Sequence, residues 1–343
     1  MISSRMRRPL IARAASLLLM VLLFTMLAAC GKPDPTLSQN QGQASSEPKG
    51  EILFVAEHNI MRWDDGNIEQ VTRDVFAASP SWAAAGDRFV YVQVGEAFSD
   101  LVIARSDGSP LLKVTEDHEP VSEPFTQEYV LQAAWAWDVD WSPAGEQLIY
   151  VSDKGLFDEL SRPLFLWFSE TFEVGPYLLP ASAGIGVTQE DPSFSQDGNR
   201  VVFVVRNEPG DGTRVPEIWT IDLNTATYEQ FIVTDEGAYD PDWSPDGENI
   251  AYIQRTGQSN DVWIAPLSGD DRYQLTDIGT AVSPVWSPDG RFVAFFRENQ
   301  GNFEAWYVEL SPGENGQLTA SEPQELFTNA DIDTVSGMSW IQR

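Results

Sequence analysis

The chain has 343 residues, with 52 Asp and Glu against 21 Lys and Arg and a formal net charge of −31. Four of those cations, Arg5, Arg7, Arg8 and Arg13, precede every acid, so from Cys30 onward 17 bases face all 52 acids. That balance excludes a nucleic-acid-binding surface, which needs a basic face; 42% hydrophobic and 11% aromatic content exclude a disordered chain; one Cys and two His exclude a disulfide framework and a thiolate-rich zinc site.

Residues 1–29 read as a signal peptide. The four arginines form a basic head, and the apolar run from Ser16 to Leu27 has the length of a signal-peptide core and is short for a spanning helix. The run ends in Leu27-Ala28-Ala29-Cys30, which resembles a bacterial lipobox: a small-residue cleavage site that leaves a thiol at the new N terminus for acylation. The single cysteine of the chain stands at the one position this motif requires. An uncleaved anchor helix is the alternative, and either arrangement puts the remainder outside the cytoplasm, held at a membrane. Acyl chains at about 0.8 kcal/mol per buried methylene make such anchoring durable. Residues 30–50 then read as the lipidated Cys30 and a tether. With Pro33, Pro35, Pro48 and many Ser and Gln, the stretch cannot bury enough apolar surface to offset its chain entropy. As a coil it spans roughly 25 Å.

Residues 51–343 are built on a repeat. The clearest unit is Asp240-Pro241-Asp242-Trp243-Ser244-Pro245-Asp246-Gly247, followed by the strand Asn249-Ile250-Ala251-Tyr252-Ile253. It recurs at Ser283–Gly290 before Phe292-Val293-Ala294-Phe295, and more weakly at Asp191–Gly198, Asp138–Gly145 and Ser79–Gly86. A last partial copy is Gly337-Met338-Ser339-Trp340. The aromatic anchors are thus Trp82, Trp141, Phe194, Trp243, Trp286 and Trp340; their smallest spacing, 43 residues, matches one four-stranded propeller blade. In Ser-Pro-Asp-Gly, Pro fixes φ, Asp suits the next turn position and Gly accepts a left-handed conformation, so the unit joins two antiparallel strands. A third strand carries an apolar or aromatic pair (Leu166-Trp167, Ile218-Trp219, Val262-Trp263, Trp306-Tyr307). A short fourth ends in Thr, as at Thr276 and Thr328.

The two ends of the chain complement each other. Residues 51–72 supply a second, third and fourth strand but no leading aromatic strand, and Met338-Ser339-Trp340-Ile341 supplies that strand and nothing after it. The expected fold is all-β: a six-bladed β-propeller with four-stranded blades, closed by the C-terminal strand joining the N-terminal blade, which removes two free sheet edges.

The repeated Pro-x-Trp-Ser-Pro-Asp-Gly with its Ile-Ala-Tyr strand resembles the WD40-like (PD40) β-propeller repeat of TolB-type proteins, here in a bacterial lipoprotein form. The resemblance covers about residues 51–343. It implies a propeller outside the cytoplasm with a binding role, and carries no named catalytic residues.

Catalytic signatures do not emerge. There is no Gly-x-Ser-x-Gly elbow, and His118-Glu119-Pro120 does not continue into a His-Glu-x-x-His zinc helix. His58 and His118 read as turn or loop residues. Asp138-x-Asp140-x-Ser142 and Asp240-x-Asp242-x-Ser244 begin like calcium loops, but Pro143 and Pro245 stand where an EF-hand needs Gly. Three residues before each anchor stand Ser79, Asp138, Asp191, Asp240, Ser283 and Gly337. Asp138, Asp191 and Asp240 therefore start the innermost strands of three consecutive blades. They read either as turn caps before Pro or as an acidic channel mouth for calcium or a cationic peptide. The longer insertions, 116–137, 153–163 and 206–216, fall at the same end, and the first carries Phe125, Tyr129, Trp135 and Trp137, aromatics of the kind favoured at interfaces.

The expected protein is a monomeric, tethered, non-enzymatic propeller that binds a protein, peptide or other envelope component at this face. No cofactor is implied beyond calcium, and the alternative is a propeller glycan lyase or hydrolase using channel carboxylates. Replacing Cys30 by Ser is expected to shift the body from the membrane fraction to the soluble fraction; retention after cleavage at Ala29 would show that acylation is not the anchor.

Overall fold

The computed structural model describes residues 47–96, 98–116, 134–153, 188–206, 215–268, 271–313, 316–329 and 331–342, and the backbone of 164–168 and 177–178. These belong to one compact unit, Glu47–Arg343. Cys30, the signal segment and most of the tether lie outside the described residues, as do His118, Phe125 and Tyr129. Among the described residues there is no α-helix, and hence none long and apolar enough to cross a membrane.

Strands β1 (Glu51–Ala56), β2 (Asn59–Asp64) and β3 (Asn67–Gln70) run antiparallel in order. Four further sheets each use four consecutive strands. They are β4 (Ala77–Trp82), β5 (Arg88–Val94), β6 (Ser99–Arg105) and β7 (Pro110–Lys113); β8 (Ala136–Trp141), β9 (Gln147–Ser152), β10 (Leu164–Phe168) and β11 (Tyr177–Leu178); β12 (Thr188–Phe194), β13 (Arg200–Arg206), β14 (Pro216–Asp222) and β15 (Thr227–Ile232); and β16 (Ala238–Trp243), β17 (Asn249–Thr256), β18 (Ser259–Pro266) and β19 (Tyr273–Gln274). The next sheet has β20 (Ala281–Trp286), β21 (Phe292–Asn299) and the long β22 (Asn302–Pro312). The outer edge of β22 is shared by β23 (Leu318–Ala320) and β24 (Gln324–Thr328), a division the repeat does not foreshadow. The last strand, β25 (Ile332–Ile341), pairs antiparallel with β1, Ile52 opposite Trp340, and completes the N-terminal sheet.

The innermost strands touch in a closed order: β4 against β8, β8 against β12, β12 against β16, β16 against β20, β20 against β25, and β25 against β4. The sheets stack face to face, so both faces of a second strand are buried. That is why these strands read as continuous apolar runs rather than alternating ones. In β1, Ile52 and Phe54 pack into the layer shared with β21 and β22, while Leu53 and Val55 pack into the layer shared with β5 and β6. All six anchors are buried, each between its own sheet and the preceding one; Trp141, for example, packs with Val90, Val92 and Leu101.

The turns depend on the serine that stands before the proline. In Ser244-Pro245-Asp246-Gly247, the Ser244 hydroxyl accepts from Asn249 N at 2.9 Å and donates to the Asp246 carboxylate, and Gly247 N donates to Ser244 O at 2.8 Å. Ser287 and Ser195 repeat the arrangement. The Thr that closes a fourth strand also holds backbone: Thr72, Thr115 and Thr276 Oγ1 accept the N–H of Ile60, Leu101 and Val262 on the third strand at 2.9, 2.9 and 3.0 Å.

The junction of the two chain ends is tight. Trp340 Nε1 donates to Lys49 O at 3.0 Å, and Gly50, at φ 111°, lies so close to Ile341 that a Cβ would sit 2.2 Å from its carbonyl oxygen. Trp340→Ala is therefore expected to cost about 3–5 kcal/mol of unfolding free energy, a large share of the 5–15 kcal/mol typical of a domain. Urea denaturation measures this, and an unchanged midpoint would mean that the C-terminal strand is not part of the cooperative unit.

Candidate functional site: an acidic channel

The six innermost strands line a cavity of about 370 Å³ that includes Asp138, Asp140, Asp191, Asp240 and Asp242. Its shape follows from a repeated backbone irregularity. In β4, β8, β12, β16 and β20, three residues of the strand pass two of the neighbouring strand, a one-residue β-bulge. The residue that begins it has positive φ in each case: Ser79 44°, Asp138 41°, Asp191 49°, Asp240 51° and Ser283 50°, with Gly337 of β25 at 64°. Short polar residues and Gly tolerate this conformation best, which accounts for the Ser/Asp/Gly pattern. The turn-cap reading of Asp138, Asp191 and Asp240 is thus corrected: these residues stand inside strands, at bulges, and not at turns.

Two tiers of side chains cross-link the sheets around the channel. In the first, Asp138 Oδ2 accepts from Asp191 N at 3.5 Å and Asp240 Oδ2 from Ser283 N at 2.8 Å. In the second, at four of the six anchors the residue just before one anchor accepts the anchor N–H of the following sheet. Ser339 accepts from Trp82 N at 2.9 Å, Ser81 from Trp141 N at 3.2 Å, Asp140 from Phe194 N at 2.8 Å and Asp242 from Trp286 N at 2.8 Å. Ser81 Oγ also donates to Asp140 Oδ1 at 2.9 Å, and Ser193 Oγ to Asp242 Oδ1 at 3.4 Å. Sequence reasoning missed this second tier. Its trace was present in the series Ser339, Ser81, Asp140, Ser193, Asp242 and Val285, polar at every position but the last.

The carboxylates are half-buried, in contact with the channel yet enclosed by protein. Burial pushes the Asp191 carboxyl well above its ordinary range, and the charges of Asp138, Asp240 and Glu190 push the same way against Arg206. Asp240 is raised by burial, opposed by the Ser283 N–H and by Arg206. Asp140 is raised by burial, and Asp242 is pushed up to about 7, by burial first and with the Asp140 charge adding to it against the Trp286 N–H. Arg206, bonded through Nε to Glu190 at 2.6 Å, is the cation of this group.

Strand directions place the beginnings of the innermost strands at one end of the channel, so Asp138, Asp191 and Asp240 stand at that mouth. Trp135 and Trp137, at the start of β8, stack there at 5.9 Å; Trp137 also packs against Ile149 and Val151, so part of its surface serves the core. His58 lies in the β1–β2 turn, stacked on Phe76 at 4.0 Å. Among the described residues no three His, Cys, Asp or Glu are grouped to hold a metal ion.

Closed stacking of four-stranded antiparallel sheets around a channel defines a β-propeller. Residues 181–329 match the TolB beta propeller domain family, PD40, in line with the resemblance that the repeats carry. The fold is similar to TolB from Acinetobacter baumannii, with a TM-score of 0.62 at 15% identity over 86% of this chain and 67% of that one. It is similar to the putative TolB from Agrobacterium tumefaciens, with a TM-score of 0.56 at 16% identity over 87% and 100%. Oligogalacturonate lyase in complex with manganese shares the architecture at a TM-score of 0.52 and 13% identity, over 81% of this chain and 75% of that one. A stretch of 101 residues is 34% identical to the uncharacterized peptidase YuxL of Bacillus subtilis (strain 168), covering 28% of this chain and about 15% of that relative's length.

A carboxyl whose folded pKa is raised holds its proton more tightly when native, so its contribution is full below the ordinary carboxylate range and is lost as pH rises through the folded value. With Asp242 near 7 and Asp140, Asp191 and Asp240 also raised, unfolding free energy is expected to fall between about pH 4 and pH 7 by an amount on the order of 1 kcal/mol or more. Asp242→Asn is expected to flatten part of that fall. A wild-type stability that instead rises across this interval would contradict the assignment.

Proposed function

We propose that this chain is a membrane-tethered, extracytoplasmic propeller lipoprotein whose six sheets form the blades of one ring closed by the C-terminal strand. It acts as a non-enzymatic binding module for a protein or peptide of the cell envelope, engaged at the acidic mouth. The observation that carries the reading is the concentration of Asp138, Asp191 and Asp240 at one mouth, at bulge positions where Ser79, Ser283 and Gly337 serve the backbone equally well. Mutual repulsion there is relieved by a cationic group. Three of the four exposed large apolar side chains among the described residues, Phe76, Val233 and Val335, stand at the same end. Lys49 and Gly50 lead into β1 at the opposite end.

The catalytic alternative finds its support in Asp242, whose value of about 7 suits a general acid. Both Asp242 oxygens, however, already accept hydrogen bonds, from Trp286 N and Ser193 Oγ. The binding reading is therefore preferred.

Asn at 138, 191 and 240 keeps a side-chain acceptor and tolerates positive φ while removing the charge. The triple variant is expected to fold normally and to bind trilysine at least tenfold more weakly in calorimetry, with less dependence on salt. Equal affinity in wild type and variant would remove these residues from the site; cleavage of an envelope glycan by the wild type would replace the binding reading with the catalytic one.

A further inference from the structure

Next to the acidic mouth is a second cavity, of about 560 Å³, lined by Arg206, Val215, Pro216, Asp235, Glu236, Tyr239, Arg255 and Gly257. These residues stand at the mouth end: Arg206 closes β13, Val215 precedes β14 and Pro216 opens it, Asp235 and Glu236 precede β16, Tyr239 is its second residue, Arg255 is the last but one of β17, and Gly257 follows that strand. The cavity is unusual in a chain of net charge −31 because it gathers two guanidinium groups. Both act on the same point, since Arg255 and Arg206 each favour ionisation of the Tyr239 hydroxyl, against the effects of burial and of the Asp240 charge. Arg206 uses its Nε for Glu190 Oε2 at 2.6 Å. Arg255 is exposed and makes no ion pair with a described residue. On the acidic side, Glu236 accepts from Gly257 N, which fixes it against the β17–β18 turn.

We propose that this cavity is a carboxylate-binding subsite of the acidic mouth, and that the ligand is a peptide segment carrying a free C-terminal carboxylate next to Lys or Arg. The inference rests on the binding role proposed above and adds the chemical form of the partner. Two arginines lining one cavity offer the donors that a carboxylate accepts, the recognition for which arginine is suited. Asp235 and Glu236 in the same wall, and Asp191 and Asp240 beside Arg206, repel a ligand that is anionic throughout. A single carboxylate flanked by cations meets both requirements. An acidic polysaccharide meets only the first. Arg206 is the hinge of the arrangement, since it faces Glu190, Asp191 and Asp240 on one side and the cavity on the other.

The test uses the full-length protein in detergent and two probes, trilysine with a free C-terminal carboxylate and the same peptide amidated at that end. Wild type is expected to prefer the free acid by at least tenfold in calorimetry. Arg255→Gln, at an exposed position outside the core, is expected to abolish that preference while leaving affinity for the amide unchanged. Equal affinity of wild type for acid and amide would overturn the subsite while leaving the acidic mouth standing. A preference that survives in Arg255→Gln would overturn the assignment of Arg255. Absence of binding by either peptide would overturn both readings, and tight binding of an oligogalacturonate in their place would assign the two arginines to a glycan.

Discussion

The backbone N–H of each anchor aromatic poses the problem that the rest of this propeller solves. The anchor ends the innermost strand of its sheet, at the wall of a narrow channel, where one side of the strand has no further strand to pair with. A buried amide without an acceptor costs on the order of 1–3 kcal/mol, and the problem recurs around the ring. The solution is a side chain from the preceding sheet: Ser339 for Trp82, Ser81 for Trp141, Asp140 for Phe194 and Asp242 for Trp286. Each such bond ties one sheet to the next at the axis, where the apolar layers between sheets are thinnest. Ser and Asp both serve, but they differ in consequence, because an Asp brings a charge into a place where charge is expensive.

That difference makes the channel asymmetric. The carboxylates belong to the sheets beginning with β8, β12 and β16, while the sheets beginning with β4, β20 and β25 line the channel with Ser79, Ser81, Ser283, Val285 and Ser339. Charge is therefore gathered in one half of a ring whose backbone is nearly periodic. The mutual influence of Asp138, Asp191 and Asp240 and the elevation of Asp242 follow from this crowding in a poorly hydrated space. Arg206 offsets part of it from the end of β13, through Glu190.

Much of the fold was legible in the sequence because Ser-Pro-Asp-Gly is a local instruction. Its Pro, Asp and Gly state their backbone conformations directly, and the spacing of the aromatics states the size of the unit. The complementary ends were legible for the same reason, since residues 51–72 lack the strand that Met338–Ile341 provides. The position three before each anchor was also found, though its meaning was not: a β-bulge of positive φ depends on register against the next strand, and a single strand does not reveal it. Asp140 and Asp242 were given no role in the sequence reading, because their partners Phe194 and Trp286 stand 54 and 44 residues away on the next sheet. Arg206 was invisible for the same reason, because the end of a second strand meets the start of a neighbouring first strand only after the sheets are stacked.

The bulge positions separate what the fold needs from what it carries in addition. Ser79, Ser283 and Gly337 adopt the same left-handed conformation as the three aspartates, so the backbone at this point does not require a carboxylate. Nor does cross-linking require one, since the Ser283 hydroxyl reaches Thr334 O at 2.7 Å and ties its own junction without charge. Asp138, Asp191 and Asp240 thus bring repulsion and desolvation to positions whose backbone conformation Ser and Gly also adopt, although Asp138 and Asp240 each accept a backbone N–H of the next sheet. The second tier is different: Asp140 and Asp242 use both oxygens as acceptors and answer a backbone demand. Two tiers of acid thus line the same channel: Asp140 and Asp242 hold anchor N–H groups of the next sheet, and Asp138 and Asp240 hold the N–H groups of the next bulge residues.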